Sequence, residues 1–162
     1  MTKALTLIFT IFITHSHTHA NRFTAMAEKY KQAPQTYYQQ HLPQNVYTIC
    51  REKGTERAYS HPYDKLFEAG TYMCRCCGGD FPLYKSDTKY DSKTGWPSFW
   101  APIEGHVSFA EDTSGIIGFF SSRTEVLCAR CGSHLGHVFD DGPQDKGGKR
   151  YCMNGLALHF VK

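Results

Sequence analysis

Two C-x-x-C pairs, Cys74–Cys77 and Cys128–Cys131, constrain this chain more than any other feature. Two intervening residues let both sulfurs of a tight turn reach one ion. Two such turns complete a tetrahedron of thiolates, the common arrangement of a structural zinc site. Fifty residues separate Cys77 from Cys128, so a metal shared by the pairs would staple distant parts of one domain. Four thiolates around one divalent ion carry a net charge of about −2. Arg75 and Arg130, one inside each knuckle, are candidates to offset it. The competing reading is a set of redox dithiols or core cysteines. The expectation is one structural Zn2+ held by Cys74, Cys77, Cys128 and Cys131, with no open position for catalysis.

The total of seven cysteines is odd, which argues against a closed set of disulfides. Cys76 lies inside the first knuckle and is read as a bystander. Cys50 precedes it by a long interval, and Cys152 stands outside both pairs. The net charge of +3 is mild and its basic residues are scattered, unlike the clustered basic face of a nucleic-acid binder. At 162 residues the chain has room for one modest core.

The punctuation of the chain sets its architecture. Residues 1–27 contain Lys3, an apolar run from Ala4 to Ile13 and the small-residue triplet Ala25-Met26-Ala27. The run is too short for a stable membrane span and suits a signal-peptide core. Export to a periplasmic or extracellular space is therefore expected, the alternative being a disordered extension on a cytoplasmic protein. Residues 28–44 are polar and read as a linker or arm, and residues 44–53 as a short helix stopped by Gly54. After Gly70, glycines and prolines separate short apolar or alternating stretches: 71–74, 107–110, 124–128, 135–139 and 150–161. That spacing predicts a mainly β fold of antiparallel strands, with a short helical region at its amino-terminal side.

Strand alternation over 150–161 would place Arg150, Cys152 and Asn154 on one face. A cysteine beside an arginine tends toward a lowered pKa and a reactive thiolate. The competing reading is a buried structural cysteine. His134 and His137 are three apart, so a regular strand would put them on opposite faces. Gly136 between them allows a bulge that brings both to one side. Histidine is the natural proton donor near neutral pH.

The segments G-T-E-R, S-D-T-K-Y-D-S-K-T-G-W-P-S-F-W, R-T-E-V-L-C-A-R-C-G-S-H-L-G-H-V-F-D-D-G-P and R-Y-C-M-N-G resemble the methionine-R-sulfoxide reductases, the B-type family. The resemblance runs from about residue 45 to 162. It implies a fold of two antiparallel sheets, with the zinc on the side away from the active site. It implies peptide-methionine (R)-S-oxide reductase activity, a protein-repair reaction under oxidative stress. Cys152 would be the nucleophile, and His134, His137 and Asn154 the polar active-site groups. Arg150 would be a supporting cation, and Trp96 and Phe139 the pocket for the substrate methyl group. The substrates would be oxidised proteins or peptides containing methionine sulfoxide, and the reductant thioredoxin or an equivalent dithiol. A monomer is expected.

Many family members carry a resolving cysteine just before G-W-P-S-F. Here that position is Thr94, and Ser60 is not a cysteine either. Cys50 and Cys76 remain as candidates, beside direct reduction by an external thiol. Two other function classes fit parts of the pattern. The zinc knuckles alone suit a non-enzymatic β domain that recognises a peptide or ligand. A reactive Cys152 alone suits a thiol peroxidase or general disulfide reductase, which would usually keep a resolving cysteine close by.

Overall fold

The computed structural model describes residues 28–112 and 123–162. The chain divides into two units, residues 1–33 and 34–162. Of the first, residues 28–31 are helical. The expected signal segment, residues 1–27, lies outside the described residues. Among the described residues, no helix is long and apolar enough to cross a membrane.

The second unit opens with two short helices, α1 (Gln35–His41) and α2 (Gln44–Arg51). Their first helical residues follow Pro34 and Pro43. A proline at a helix start forfeits no intrahelical N–H bond, so it marks the start rather than forbids the helix. Helix α2 buries Val46, Tyr47, Ile49 and Cys50 along one face, the spacing of an amphipathic helix. Residues 28–44, read from the sequence as a linker or arm, thus contain helix α1. One fully buried aromatic, Tyr38, anchors it, with the Arg51 guanidinium 4.1 Å from the ring centroid. A polar composition conceals an element that rests on a single side chain.

Among the described residues nine strands follow: β1 (Thr71–Cys74), β2 (Pro82–Lys85), β3 (Lys89–Tyr90), β4 (Ser98–Phe99), β5 (Val107–Asp112), β6 (Arg123–Cys128), β7 (His134–Phe139), β8 (Arg150–Met153) and β9 (Leu158–Val161). They form two sheets, in the orders β2-β1-β9 and β3-β4-β8-β7-β6-β5. Every pairing is antiparallel. The mainly β, two-sheet architecture expected from the sequence is the one observed. The sheets meet through aromatic rings. Phe99 of β4 stacks on Tyr84 of β2 at 4.4 Å and meets Tyr72 of β1 edge-on at 5.0 Å. All three are fully buried. The Tyr84 hydroxyl, buried with them, finds the Met153 sulfur of β8 at 3.2 Å, so burial leaves no polar atom stranded at this point.

Two irregularities position the site. The first is a bulge between β6 and β7. Val126 pairs with Gly136 and Leu127 with His134, leaving Leu135 as the extra residue. His134 and His137 therefore come together, ring centroids 5.3 Å apart, as the glycine between them led one to expect. The second breaks the stretch 150–161, which reads as one alternating strand. It is two strands, parted by a 3₁₀ turn at Gly155–Ala157. β8 lies inside the large sheet and β9 crosses to pair with β1. The Glu56 carboxylate accepts the Gly155 N–H at 2.7 Å and the Leu156 N–H at 2.9 Å. These bonds offer the backbone a partner that a continuous strand would not.

Gly136 is required by proximity. A Cβ there would collide with the Cys152 carbonyl oxygen and lie 2.9 Å from the Met153 Cα. These are backbone atoms of β8, which cannot rotate away. Gly136→Ala is expected to destabilise the fold by about 1–3 kcal/mol, the usual cost of overpacking, and to displace β8. Chemical denaturation of the variant against the parent checks this; equal midpoints would show that β7 and β8 have room to spare.

Candidate active site and metal centre

The four paired cysteines converge. Cys74 ends β1 and Cys128 ends β6, and Cys77 and Cys131 sit in the turns that follow. The Cys74 and Cys131 sulfurs lie 3.7 Å apart, and those of Cys77 and Cys128 lie 3.9 Å apart. All four ligand atoms fall within 4.8 Å of one another, and all four residues are buried. Sulfurs at about 2.3 Å from a tetrahedral zinc would be about 3.8 Å apart, so the donor set and its spacing fit that ion. The crowding has an electrostatic cost. Contact with Cys128, then with Cys131 and Cys74, pushes the Cys77 thiol pKa far up, and burial adds to this. Without a cation these sulfurs cannot ionise together.

The two knuckle arginines have partners of their own. Arg130 is buried, pairs with Asp80 and lies over the Phe81 ring at 4.3 Å. Arg75 is half-buried and acts electrostatically on His61. Arg51, at the end of α2, instead donates to the Cys131 carbonyl at 3.1 Å and the Ser133 hydroxyl at 3.2 Å. Ser133 in turn receives a bond from the Cys131 thiol. Cys76, read as a bystander, stays outside the four-sulfur cluster. It contacts Cys50, which raises its thiol pKa more than any other influence does.

Cys152 has a different setting. Six of the seven cysteines are buried, and it alone is partly exposed. β8 lies between β4 and β7, so Cys152 sits opposite Ser98 on one side and His137 on the other. The cysteine lines a cavity of about 120 Å³ together with Trp96, His137, Phe139, Asn154 and Arg123. Burial raises its pKa above the ordinary thiol value, and Arg150 is the strongest opposing influence, followed by the Thr94 and Ser98 hydroxyls. The sequence reading expected a lowered value. The arginine does pull that way, but desolvation of the anion outweighs it. Arg150 is itself clamped: Nε and Nη2 each donate to the Asp141 carboxylate at 2.8 Å, and the guanidinium lies over Phe139 at 4.3 Å.

The two histidines divide. His137 lines the cavity, and its Nε2 meets the Asp112 carboxylate at 2.8 Å. A carboxylate only accepts, so Nε2 carries a proton. Asp112 is also held by Arg123 at 2.9 Å. His134 lies behind it, buried and off the cavity wall. Its Nδ1 donates to Glu125 at 2.7 Å, and Glu125 pairs with Lys53 at 2.8 Å. Burial lowers the His134 pKa, although Glu125 pulls it upward. Its Nε2 is buried with no hydrogen-bond partner among the described residues.

Asn154 reaches the cavity without a free amide. Its Nδ2 donates to the Leu135 carbonyl at 3.1 Å, and its Oδ1 accepts from the Glu56 N–H at 3.0 Å. It comes just after β8 ends, still in extended backbone, and lines the cavity together with Cys152. The residue that sequence reasoning missed is Glu56. Its carboxylate holds the turn after Cys152, its N–H holds Asn154, and its carbonyl accepts the Trp96 indole N–H at 3.1 Å. One buried residue thus fixes three parts of the cavity wall. The available signal was its place in G-T-E-R, a carboxylate in a segment with no evident need for one.

A model of the SelR domain matches residues 42–162. The chain is 48% identical over 134 residues to the "Peptide methionine sulfoxide reductase MsrB" of Hahella chejuensis, covering 82% of this chain and 91% of that protein. It is 53% identical over 121 residues to the protein of the same name from Pseudomonas putida, covering 74% and 85%. With the "Peptide methionine sulfoxide reductase B1, chloroplastic" of Oryza sativa it shares 50% identity over 125 residues, covering 77% of this chain and 56% of that one. A match over three quarters of the length, with the Cys152 cavity and the four-cysteine cluster both inside it, places this chain in the SelR domain family.

Proposed function

We propose that the protein reduces methionine-R-sulfoxide to methionine, with Cys152 as the nucleophile. The reaction is that of the relatives just described. The observation that carries the residue assignment is the contrast among the cysteines. Six are buried, while Cys152 opens into a cavity with aromatic walls.

The chemistry follows from the cavity. Trp96 and Phe139 offer apolar faces to the substrate methyl group, and their rigid rings restrict how the sulfoxide can sit. The Cys152 thiolate attacks the sulfoxide sulfur. As a proton reaches the substrate oxygen, that oxygen passes from the substrate sulfur to Cys152 Sγ and the S–S bond made by the attack breaks, so that methionine leaves and Cys152 is a sulfenic acid. The substrate sulfur gains two electrons and the cysteine sulfur loses two. His137, which lines the cavity and is held through Nε2 by Asp112, is placed to supply that proton. Arg150 lowers the cost of the thiolate, and Asp141 keeps Arg150 in place. Asn154 and Glu56 position the wall and touch no reacting atom.

A zinc ion held by Cys74, Cys77, Cys128 and Cys131 would tie β1 of the small sheet to β6 of the large one. Four sulfurs complete its coordination, so its contribution is to folding. Regeneration is assigned to an external dithiol such as thioredoxin. The sulfenic acid condenses with one thiol, releasing water, and a second thiol then displaces Cys152 from the mixed disulfide. Arg150 and two hydroxyls act on the Cys152 sulfur, and the other six thiols are buried.

Purified protein with dithiothreitol should reduce the R epimer of methionine sulfoxide at least about tenfold faster than the S epimer. Exchanging methyl and oxygen would set a strong acceptor against the aromatic wall, at a cost of about 1–3 kcal/mol. Cys152→Ser should form no methionine while keeping its fold. Equal rates on both epimers, or turnover by the serine variant, would refute the assignment.

Metal analysis should find one zinc per chain. Replacing any one of the four cysteines by serine should lower the melting temperature steeply, since structural zinc contributes about 10–16 kcal/mol to the folding of small domains. Active protein containing no zinc would contradict this.

Cys50→Ser and Cys76→Ser should each retain thioredoxin-dependent turnover, because both thiols are buried and contact each other rather than Cys152. Loss of thioredoxin turnover in either variant, with dithiothreitol turnover intact, would identify a resolving cysteine and overturn direct reduction.

A further inference from the structure

Three connected hydroxyls lead away from the Cys152 sulfur. Thr94 Oγ1 lies 3.9 Å from Cys152 Sγ. Ser92 Oγ stands 2.8 Å from Thr94 Oγ1 and 2.7 Å from Ser98 Oγ. Ser98 is fully buried, faces Cys152 across the β4–β8 pair, and its hydroxyl acts on the cysteine sulfur. Sulfur, Thr94, Ser92 and Ser98 therefore form an open ring of four polar groups, joined in that order by three contacts. No step of the reaction described above needs Ser92 or Thr94.

The protons of the ring can be counted. Each hydroxyl donates once and accepts up to twice. Ser98 donates to the Trp96 carbonyl at 3.1 Å. Ser92 then donates to Ser98, Thr94 to Ser92, and the Cys152 thiol to Thr94. Every donor is used when Cys152 is protonated. Once the sulfur is an anion it can only accept. The Thr94 hydroxyl then turns to donate to it, and Ser92 turns to donate to Thr94. These are rotations about C–O bonds and move no heavy atom. A bond from a neutral hydroxyl to an anion is stronger than one between neutral groups, which favours the reversed order in that state.

We propose that Thr94, Ser92 and Ser98 form a reversible hydroxyl ring that accepts from the Cys152 thiol and donates to its anionic forms, the thiolate before attack and the deprotonated sulfenate after it. The proposal rests on the sulfoxide-reductase reading for the sulfenate, though not for the thiolate. It gives Thr94 a role at the place where many family members carry a second thiol. There the oxidised sulfur is trapped as a disulfide. Here it is held by hydrogen bonds until an external thiol condenses with it, forming the S–S bond and releasing the oxygen as water.

Thr94→Val removes the hydroxyl and keeps the shape, and Thr94→Ser keeps the hydroxyl. The pH dependence of Cys152 alkylation by iodoacetamide reads the thiolate directly, because the other six cysteines are buried. The other charged or titratable groups around the cavity are Arg150 on β8 with Asp141, His137 on β7 and Arg123 on β6 with Asp112, and Tyr90 on β3, and all are unchanged in these variants. In Thr94→Val the alkylation midpoint should rise by about one pH unit, about tenfold less thiolate at neutral pH. Thr94→Ser should restore the parent midpoint. Ser92→Ala, which interrupts the ring without touching the sulfur, should raise it by a smaller amount. After one turnover on methionine-R-sulfoxide without reductant, trapping by dimedone should show the sulfenic acid of Thr94→Val decaying several-fold faster than that of Thr94→Ser.

A parent-like alkylation midpoint in folded Thr94→Val overturns the proposal. If that variant does not fold, a parent-like midpoint in folded Ser92→Ala overturns it instead. A shifted midpoint in protein that forms no methionine, parent included, would uphold the ring around the thiolate while refuting the reductase reading.

Discussion

Strand β1 of the small sheet and strand β6 of the large sheet end at the same four sulfurs. That meeting organises the molecule. Sulfurs so close, and so deeply buried, repel as anions and gain little as thiols. A divalent cation turns the same crowding into attraction. The aromatic contact of Phe99 with Tyr72 and Tyr84 joins the sheets by apolar burial, which is strong but non-directional. A four-coordinate ion adds fixed bond lengths and angles. It would set where β6 ends and hence where β7 returns, and the bulged β7 carries both histidines.

Around Cys152, the structure uses its polar groups for holding rather than for touching. Arg150 is fixed by Asp141, His137 by Asp112, and Asn154 by two backbone groups. The burial that raises the Cys152 pKa also strengthens every electrostatic influence opposing it, because water no longer screens them. A reactive sulfur in such a place depends on its neighbours more than an exposed one would.

Much of this arrangement was legible in the sequence. Paired cysteines announce themselves by spacing, because two residues between sulfurs is a local geometric requirement. The bend at Gly136 was legible because two histidines three apart need a reason to meet. Most of the longer strands were legible from punctuation. The short strands β3 and β4 were not, since two residues show no alternation. Helix α1 was missed because a single buried tyrosine leaves no periodic trace. Glu56 and Asp141 were missed for another reason: each acts through a partner distant in sequence, Glu56 on Gly155 and Leu156 and Asp141 on Arg150 across a loop. Arg150 was assigned the right sign of influence on Cys152, but the desolvation opposing it depends on what covers the sulfur.

The position of β8 has a kinetic consequence. Cys152 lies on an interior strand, bonded on one side to β4 and on the other to β7. Its backbone cannot swing outward without breaking both ladders. Under the proposed mechanism, the reducing partner must therefore bring its own sulfur through the opening that methionine has just left. Donor and substrate use one doorway and cannot occupy it together. Each turnover becomes a strict alternation of visitors, in which abundant substrate obstructs the reductant, and the doorway's width selects reductants whose thiol stands on a slender projecting segment.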